Sequence, residues 1–472
     1  MDPLAPSYAD QTLLHPVATA AAFLAAVAVL LAPRRYVVPV LFGFAICVTP
    51  AQRVSVAGVD FTLLRLLLMV GLARILIFED LRRFTMKPVD WGVAVVAAVM
   101  LVVPVFNGAK GSTGAVLVQQ LGLVGFDALL LYGVLRMMLR DRAELSFLVS
   151  AMAAVALPVA AMFQVEAFTG RNPFSVFGGV PEWTEIREGR LRCQGAFVHP
   201  IIAGCFFAGV FPLVLMWPAG TARRVLHLAG AAACLAIVYA SASSTPVGGV
   251  GVALLAVPLF YARSWLRPAR WAALGALIVV HFVRPQPVWH LLASVQFVGG
   301  STGWHRYRLI DAWVRNAREW LIVGTGSTAH WGRGLVDVTC QYISYSLNAG
   351  LLGLLALLGL IVTAYHQTGS TLRRVAGNGP ASWAVYAAGT ALTVHVVCFV
   401  GVSYFGQGTF IWYLTLAFVA VAGVGEASNE PNEPNEPDAY GGRLPASAVD
   451  EAEQAIADGA DPLSPRAQGV PA

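Results

Sequence analysis

The chain has 472 residues, of which 57% are hydrophobic and only 12% are charged, with a net charge of +5 and a mean hydropathy of +0.67. This composition excludes a soluble globular protein, which is about 25% charged. The apolar runs are long and uninterrupted, which excludes the alternating strands of a membrane barrel. We therefore predict an all-α polytopic membrane protein.

The apolar runs, taken in chain order, predict thirteen membrane spans, because a helix crosses the hydrocarbon core in about 20 residues. Two of the runs are short for a span, so twelve spans is the alternative. The predicted spans are 12–32, 36–50 (short), 60–78, 91–106, 113–135, 145–165, 196–217, 225–240, 247–262, 270–283 (short), 341–365, 382–402 and 409–424.

Basic residues concentrate in alternate loops, and the positive-inside rule places those loops in the cytoplasm. Thirteen spans then put the N-terminus outside and the C-terminus inside. The net charge is explained in this way, and no nucleic-acid partner is predicted. The predicted organisation is an N-terminal bundle 1–165, an outer loop 166–195, central helices 196–283, a large outer loop 284–340, C-terminal helices 341–424 and a disordered cytoplasmic tail 425–472.

Two ionisable residues fall inside predicted spans, where a charge is costly. Arg65 and Asp127 are expected to pair with each other. Such a pair is either structural or part of a proton path in a transporter. The six cysteines show no metal or redox spacing, so we predict no metal and no cofactor.

The first outer loop ends in a basic, glycine-containing segment, REGRLRCQG, that runs directly into a span. Arg190 and Arg192 can donate to an anion such as a phosphate, and Gly195 lets backbone approach a ligand. His199 stands at the start of the span. The alternative is that long external loops keep arginines regardless of charge, and that His199 only bonds a neighbouring carbonyl.

The second outer loop contains an amphipathic pattern: Leu309, Trp313, Ala317 and Trp320 or Leu321 recur at helical spacing. We predict a helix lying along the outer membrane surface. On its polar face Asp311 is spaced to pair with Arg308 and Arg315, whereas Arg306 has no such partner in the sequence.

The segment after that helix supplies candidates for a general base. Asp337 lies beside a predicted span, and a carboxylate partly removed from water can accept a proton from a sugar hydroxyl. His330 is the rival base, and a role for Asp337 at a helix N-terminus is the structural alternative. Gly324 and Gly326 predict a turn, and a disulfide between Cys193 in the first loop and Cys340 is allowed.

These residues resemble the O-antigen ligase and polymerase family of bacterial envelope enzymes. Three pieces carry the resemblance: the Arg192-x-x-Gly195-x-x-x-His199-Pro200 entry into a span, Arg306 ahead of Leu-Ile-x-x-Trp and the glycine turn, and Tyr342 preceding Gly350-Leu-Leu-Gly353. The chain lacks the family's Ser-Arg-Gly element at 241–249. It also lacks the His-Asn of ligases, since Thr339 and Cys340 stand there, which favours a polymerase-like member.

The resemblance implies a metal-independent, inverting glycosyltransferase of the bacterial inner membrane that polymerises or ligates glycan linked to undecaprenyl pyrophosphate, on the periplasmic side. Its partners would be the lipid bilayer, a lipid-linked oligosaccharide donor, a glycan acceptor and envelope polysaccharide assembly proteins. A transporter or flippase and an inactive scaffold remain the alternatives. The implied catalytic residues are Arg192, Arg306, Asp337 and His330, and the implied substrate-binding residues are Arg190, His199, Arg308 and Tyr342.

Overall fold

The computed structural model describes residues 12–56, 59–78, 84–294 and 303–425, which belong to one compact unit. The predicted tail lies outside the described residues except for Gly425. The helices are α1 (Pro16–Leu31), α2 (Val37–Cys47), α3 (Leu63–Ile77), α4 (Pro88–Val102), α5 (Thr113–Gln120), α6 (Leu131–Met138), α7 (Arg142–Thr169), α8 (Pro200–Met216), α9 (Thr221–Ala240), α10 (Ser244–Leu259), α11 (Leu266–Val283), α12 (Gly303–Arg315), α13 (Ala317–Trp320), α14 (Gln341–Arg374), α15 (Gly379–Cys398) and α16 (Gln407–Val421).

A π-helical stretch, Leu121–Leu130, joins α5 and α6 into one continuous helix. Two antiparallel hairpins complete the described fold: β1 (Arg53–Val56) pairs with β2 (Val59–Thr62), and β3 (Glu185–Arg187) pairs with β4 (Arg190–Arg192). Every predicted apolar run contains a helix, so the prediction of an all-α fold is confirmed. The number of spans stays a prediction.

Length and apolar composition identify a multi-pass membrane protein. Six helical segments in the described residues are long and apolar enough to cross a bilayer, and five shorter helices are also apolar. Large apolar side chains such as Phe23, Leu76, Leu255 and Phe282 lie exposed on helix surfaces. In a bilayer such side chains face lipid, whose chains are as apolar as they are.

The centre of the bundle is α8, which is apolar on all sides and almost entirely buried. A helix that is hydrophobic all round belongs in an interior, and α8 packs against α9, α10, α15 and α16. Its first residue, Pro200, marks what we call the loop end of the bundle, where the β3–β4 hairpin lies. Its last residue, Met216, marks the far end.

The longest helix, α14, is broken at Ala349 and Gly350. Gly350 has φ +64°, and a Cβ there would lie 2.2 Å from the carbonyl oxygen of Ile322. The main chain of 321–325 fills the break: Leu351 N–H donates to Leu321 O at 2.8 Å, and Thr325 N–H donates to Leu347 O at 2.9 Å. Gly324, where a turn was predicted, therefore lets the main chain of 321–325 pack directly against the main chain of α14.

The predicted surface helix, whose apolar pattern ran from Leu309 to Trp320 or Leu321, is divided in the structure because the chain leaves helical geometry at Asn316. Part of its apolar stripe also packs against protein. Leu309 and Trp320 are buried against Leu335 and the first turns of α14 in a small second core. The location of this helix on the membrane surface stays a prediction. An amphipathic pattern shows that a face needs an apolar partner but does not identify the partner.

Candidate functional site

The β3–β4 hairpin gathers charge on one face at the loop end. Its two-residue turn, Glu188 and Gly189, has φ of +51° and +75°, as the tight turns that suit β-hairpins require. The register places Glu185 opposite Arg192 and Arg187 opposite Arg190. Because directly paired residues point to the same face of a ladder, these four charged side chains lie together.

A buried carboxylate that sequence reasoning missed holds the segment after the hairpin. Glu166, near the end of α7, is fully buried. It accepts hydrogen bonds from Gln194 N at 3.0 Å, from Gly195 N at 2.8 Å and from the Thr184 hydroxyl at 3.1 Å. The sequence did carry a signal, since Glu166 directly follows the predicted span 145–165.

Gly195 is required at this clamp. Its φ is +56°, and a Cβ there would lie 2.5 Å from the ring of Phe163. Its carbonyl oxygen also accepts a hydrogen bond from the Asn172 amide at 2.8 Å. The glycine predicted to allow close approach of a ligand instead allows close approach of an aromatic ring of α7.

Arg192 is 6% exposed and forms a salt bridge of 3.0 Å with Glu185. Burial lowers the pKa of Arg192, Glu185 opposes the shift, and the nearby positive charge of Arg187 adds to it. The carboxylate of Glu185 is about half exposed, so this pair faces the solvent on one side.

His199 caps the N-terminus of α8, with its Nδ1 accepting from Ile201 N at 3.2 Å. Burial, reinforced by the charge of Arg192, lowers its pKa from 6.5 to about 4. His199 is therefore neutral at neutral pH. Because Nδ1 is an acceptor, the proton is assigned to Nε2, which leaves His199 a neutral hydrogen-bond donor at that atom.

Arg306 reaches from α12 into the loop end and is 8% exposed. It donates to the Thr245 hydroxyl at 2.7 Å and to Gly401 O at 3.4 Å. Its Nε is buried and has no hydrogen-bond partner among the described residues. Burial lowers its pKa, and Arg187 again contributes repulsion.

Arg187, Arg192 and Arg306 form what we call the arginine cluster. They come from two places in the chain, the β3–β4 hairpin and α12. The charge of Arg187 acts on both of the other arginines and on His199 as well. A buried guanidinium N–H that has no hydrogen-bond partner and lies beside like charges costs free energy unless an anion binds it. The chemistry that this arrangement favours is binding of an anion with several oxygens.

The two candidate bases lie in different surroundings. Asp337 is exposed, so the partial burial assumed from the sequence is not found. Its carbonyl oxygen nevertheless lies 3.1 Å from Nε2 of His305, the residue before Arg306, and its charge acts on His199. His330 is tied to Glu319 at 2.7 Å, and the Trp331 indole donates to the same carboxylate at 2.9 Å; these hydrogen bonds lower the pKa of Glu319.

Of the remaining predicted residues, Arg190 shares the charged face of the hairpin, whereas Arg308 and Tyr342 have other surroundings. Arg190 is exposed on the hairpin, and Arg308 lies beside Gly332. The Tyr342 hydroxyl donates to Val396 O at 2.9 Å, so an internal carbonyl already occupies it. Cys193 and Cys340 are both buried free thiols, which rules out the disulfide considered above.

Arg65 and Asp127 pair as predicted, through two hydrogen bonds of 2.8 and 2.6 Å. They line a cavity of about 100 Å³ together with Gln52 and Gln407. Arg65 also donates to Asp60 O at 2.7 Å. Both charges are satisfied by fixed partners, so removing either partner would leave an uncompensated charge.

No group of three or more His, Cys, Asp or Glu side chains able to hold a metal ion occurs in the part of the chain that the structure describes. The fold defines a class, the multi-pass helical membrane protein. No family model matches this chain, and no curated protein is similar to it in a sequence search.

Proposed function

We propose that this protein is a glycosyltransferase of the bacterial inner membrane that uses a glycan linked to undecaprenyl pyrophosphate, on the periplasmic side. The observation that carries the proposal is the arginine cluster, in which the buried Nε of Arg306 lacks a partner among the described residues. A diphosphate offers several oxygens to such donors, and arginine matches them through paired hydrogen bonds.

The cluster would act on the leaving group. In the proposed reaction an acceptor hydroxyl attacks the anomeric carbon, the bond from that carbon to the diphosphate oxygen breaks, and the electron pair leaves with the diphosphate. Fixed positive donors stabilise the charge that develops there. Glu185, which is half exposed, is the group that a diphosphate would displace from Arg192, and the Nε2–H of neutral His199 adds a further donor.

The attacking hydroxyl must lose a proton, and we assign this role to Asp337. It lies near His199, is exposed to an incoming acceptor, and has no hydrogen bond to its carboxylate among the described residues. His330 is the second choice. The Glu319 carboxylate could orient it, as a base is held by a third group in catalytic triads. Inversion at the anomeric carbon follows from a single displacement, which needs no metal.

A polymerase-like reaction is favoured over a ligase-like one, because Thr339 and Cys340 stand where ligases carry histidine and asparagine. The product would be O-antigen, capsule or exopolysaccharide. The N-terminus would lie outside and the C-terminus in the cytoplasm. This orientation puts the loop end in the periplasm, where lipid-linked repeats and assembly proteins would meet it.

The test is genetic. In a strain lacking the gene, surface polysaccharide is compared after rescue with wild type, Arg192→Ala, Arg306→Ala or Asp337→Ala at equal protein level. Arg171→Ala is the control, since Arg171 is an exposed arginine of the same loop. We expect only wild type and the control to restore long glycan. Unchanged glycan in the deletion strain would refute the proposal.

A transporter is the second candidate, favoured by the break in α14. Lys110 donates to the backbone oxygen of Asn348, the residue just before the break, at 2.9 Å. Burial lowers the pKa of Lys110 from 10.5 to about 8. Transporters use such breaks to bind ions and substrates. Here the main chain of 321–325 fills the break. Proton-coupled uptake of a lipid-linked glycan into proteoliposomes, abolished in Lys110→Met, would favour this reading.

A further inference from the structure

A second candidate site lies at the far end of the bundle, away from the arginine cluster. It is a cleft of about 550 Å³ between the end of α8, the start of α9, the second half of α10 and the start of α15. Trp217, Arg224, Val257, Pro380 and Trp383 are among the residues that line it. The lining is mostly apolar, and Arg224 supplies its charge.

Arg224 has no acidic partner among the residues that the structure describes. It donates to Leu215 O at 2.7 Å. The sequence contains no aspartate or glutamate between Glu188 and Asp311, a stretch that supplies three of the four helices around the cleft. None occurs between Asp337 and Glu426 either, which covers α15. These segments therefore present only positive charge.

Aromatic rings connect the cleft to a second arginine. The ring of Phe260 stacks on that of Trp383 with centres 3.9 Å apart. The guanidinium of Arg263 lies 4.6 Å from the centre of Phe260. Tyr261 is exposed beside the same tryptophan, with ring centres 6.0 Å apart. Tryptophan and tyrosine favour the headgroup level of a bilayer, where one side of the ring is apolar and the other is wet.

We propose that this cleft binds the phosphate headgroup of an anionic phospholipid from the leaflet at the far end. The phosphate would meet Arg224, Arg263 and the first amides of α9, whose N-cap, Gly220, makes no side-chain capping bond. The part of the acyl chains next to the headgroup would lie along Val257, Trp217 and Trp383. Basic pockets between membrane helices recognise anionic headgroups in this manner.

Binding is measured on the full chain in zwitterionic nanodiscs, with phosphatidylglycerol added at increasing mole fraction and retained lipid counted by native mass spectrometry. Each arginine near an anionic surface contributes roughly fivefold in affinity. We expect the double variant Arg224→Gln, Arg263→Gln to bind phosphatidylglycerol on the order of 20-fold more weakly than wild type. Phosphatidylcholine should show no such dependence.

Arg35→Gln is the matched control. Arg35 also lies at the far end and over aromatic rings, 5.0 Å from the centre of Tyr36, but it does not line the cleft. A second variant, Val257→Trp, fills the cleft without changing charge and should also lose the lipid. An equal loss in Arg35→Gln would overturn the proposal, because the attraction would then be diffuse.

Glycerol phosphate provides the remaining arm, since it carries the phosphate without acyl chains. Stabilisation of wild type by glycerol phosphate alone, lost in the double arginine variant, would overturn the lipid assignment in favour of a soluble phosphate. Unchanged phosphatidylglycerol binding in both the double variant and Val257→Trp would overturn the site altogether. None of these results depends on the proposed glycosyltransferase activity.

Discussion

Changing Glu166 to glutamine tests how the loop end is held together. The carboxylate accepts three hydrogen bonds while fully buried. A glutamine oxygen can keep the two bonds to Gln194 N and the Thr184 hydroxyl, but its NH₂ group then faces the N–H of Gly195, donor against donor. A buried unsatisfied donor costs about 1–3 kcal/mol, and loss of the negative charge weakens the bonds that remain.

The sum is a loss of roughly 2–4 kcal/mol in the free energy that holds the segment 190–199 in place. Local opening should therefore become about 30- to 1,000-fold more frequent. Hydrogen exchange at the amides of Gln194 and Gly195 measures this directly, and reversible unfolding in mixed micelles measures the total loss. We expect both amides to exchange faster by that factor, while amides of α8 beyond its first turn change little.

Glu182→Gln is the control for this prediction. Glu182 lies in the same loop, pairs with Arg171 at the surface, and is about half exposed. Exposed pairs contribute at most about 1 kcal/mol, so this variant should unfold almost as wild type does. Equal stability of the two variants, with unchanged exchange at Gln194 and Gly195, would refute the idea that Glu166 clamps the segment.

Three further predictions follow from backbone geometry and protonation. Gly195→Ala should lose about 2–4 kcal/mol from left-handed strain and a ring clash, whereas Gly189→Ala, with open space at its Cβ, should lose only the strain of about 1–2 kcal/mol. Gly350→Ala should lower the free energy of unfolding by at least ~2 kcal/mol, whereas Gly359→Ala in the same helix should not. Melting temperatures of the two variants measure this difference. The pKa of His199 is about 4 when folded and 6.5 when unfolded, so stability should fall as pH drops from 6.5 towards 4, and His199→Gln should flatten that slope.

The helices could be predicted from the sequence because the thickness of the bilayer sets the length of a spanning helix, and the length of an apolar run is visible locally. The loop-end arginines were also visible, since a charge on the disfavoured side of a span stands out in the sequence. The pairing of Arg65 with Asp127 could be predicted because two costly charges inside spans have few other partners.

Apart from the Arg65–Asp127 pair, the sequence did not predict the contacts between distant segments described above. Glu166 binds backbone amides about 29 residues away, and Arg306 binds Thr245 across 61 residues. No periodicity encodes such pairs. The break in α14 was missed for a similar reason: Gly350 stands in an apolar run like other glycines, and only the packed segment 321–325 shows why it is needed.

The most direct test of the proposed role of the arginine cluster is the transfer rate of purified protein in liposomes, with a synthetic polyprenyl-diphosphate-linked oligosaccharide as donor. We expect Arg192→Ala and Arg306→Ala to reduce kcat on the order of 10²-fold or more, and Arg171→Ala to stay within about twofold. Melting temperatures establish that each variant is folded. Wild-type rates in folded Arg192→Ala and Arg306→Ala would contradict the account.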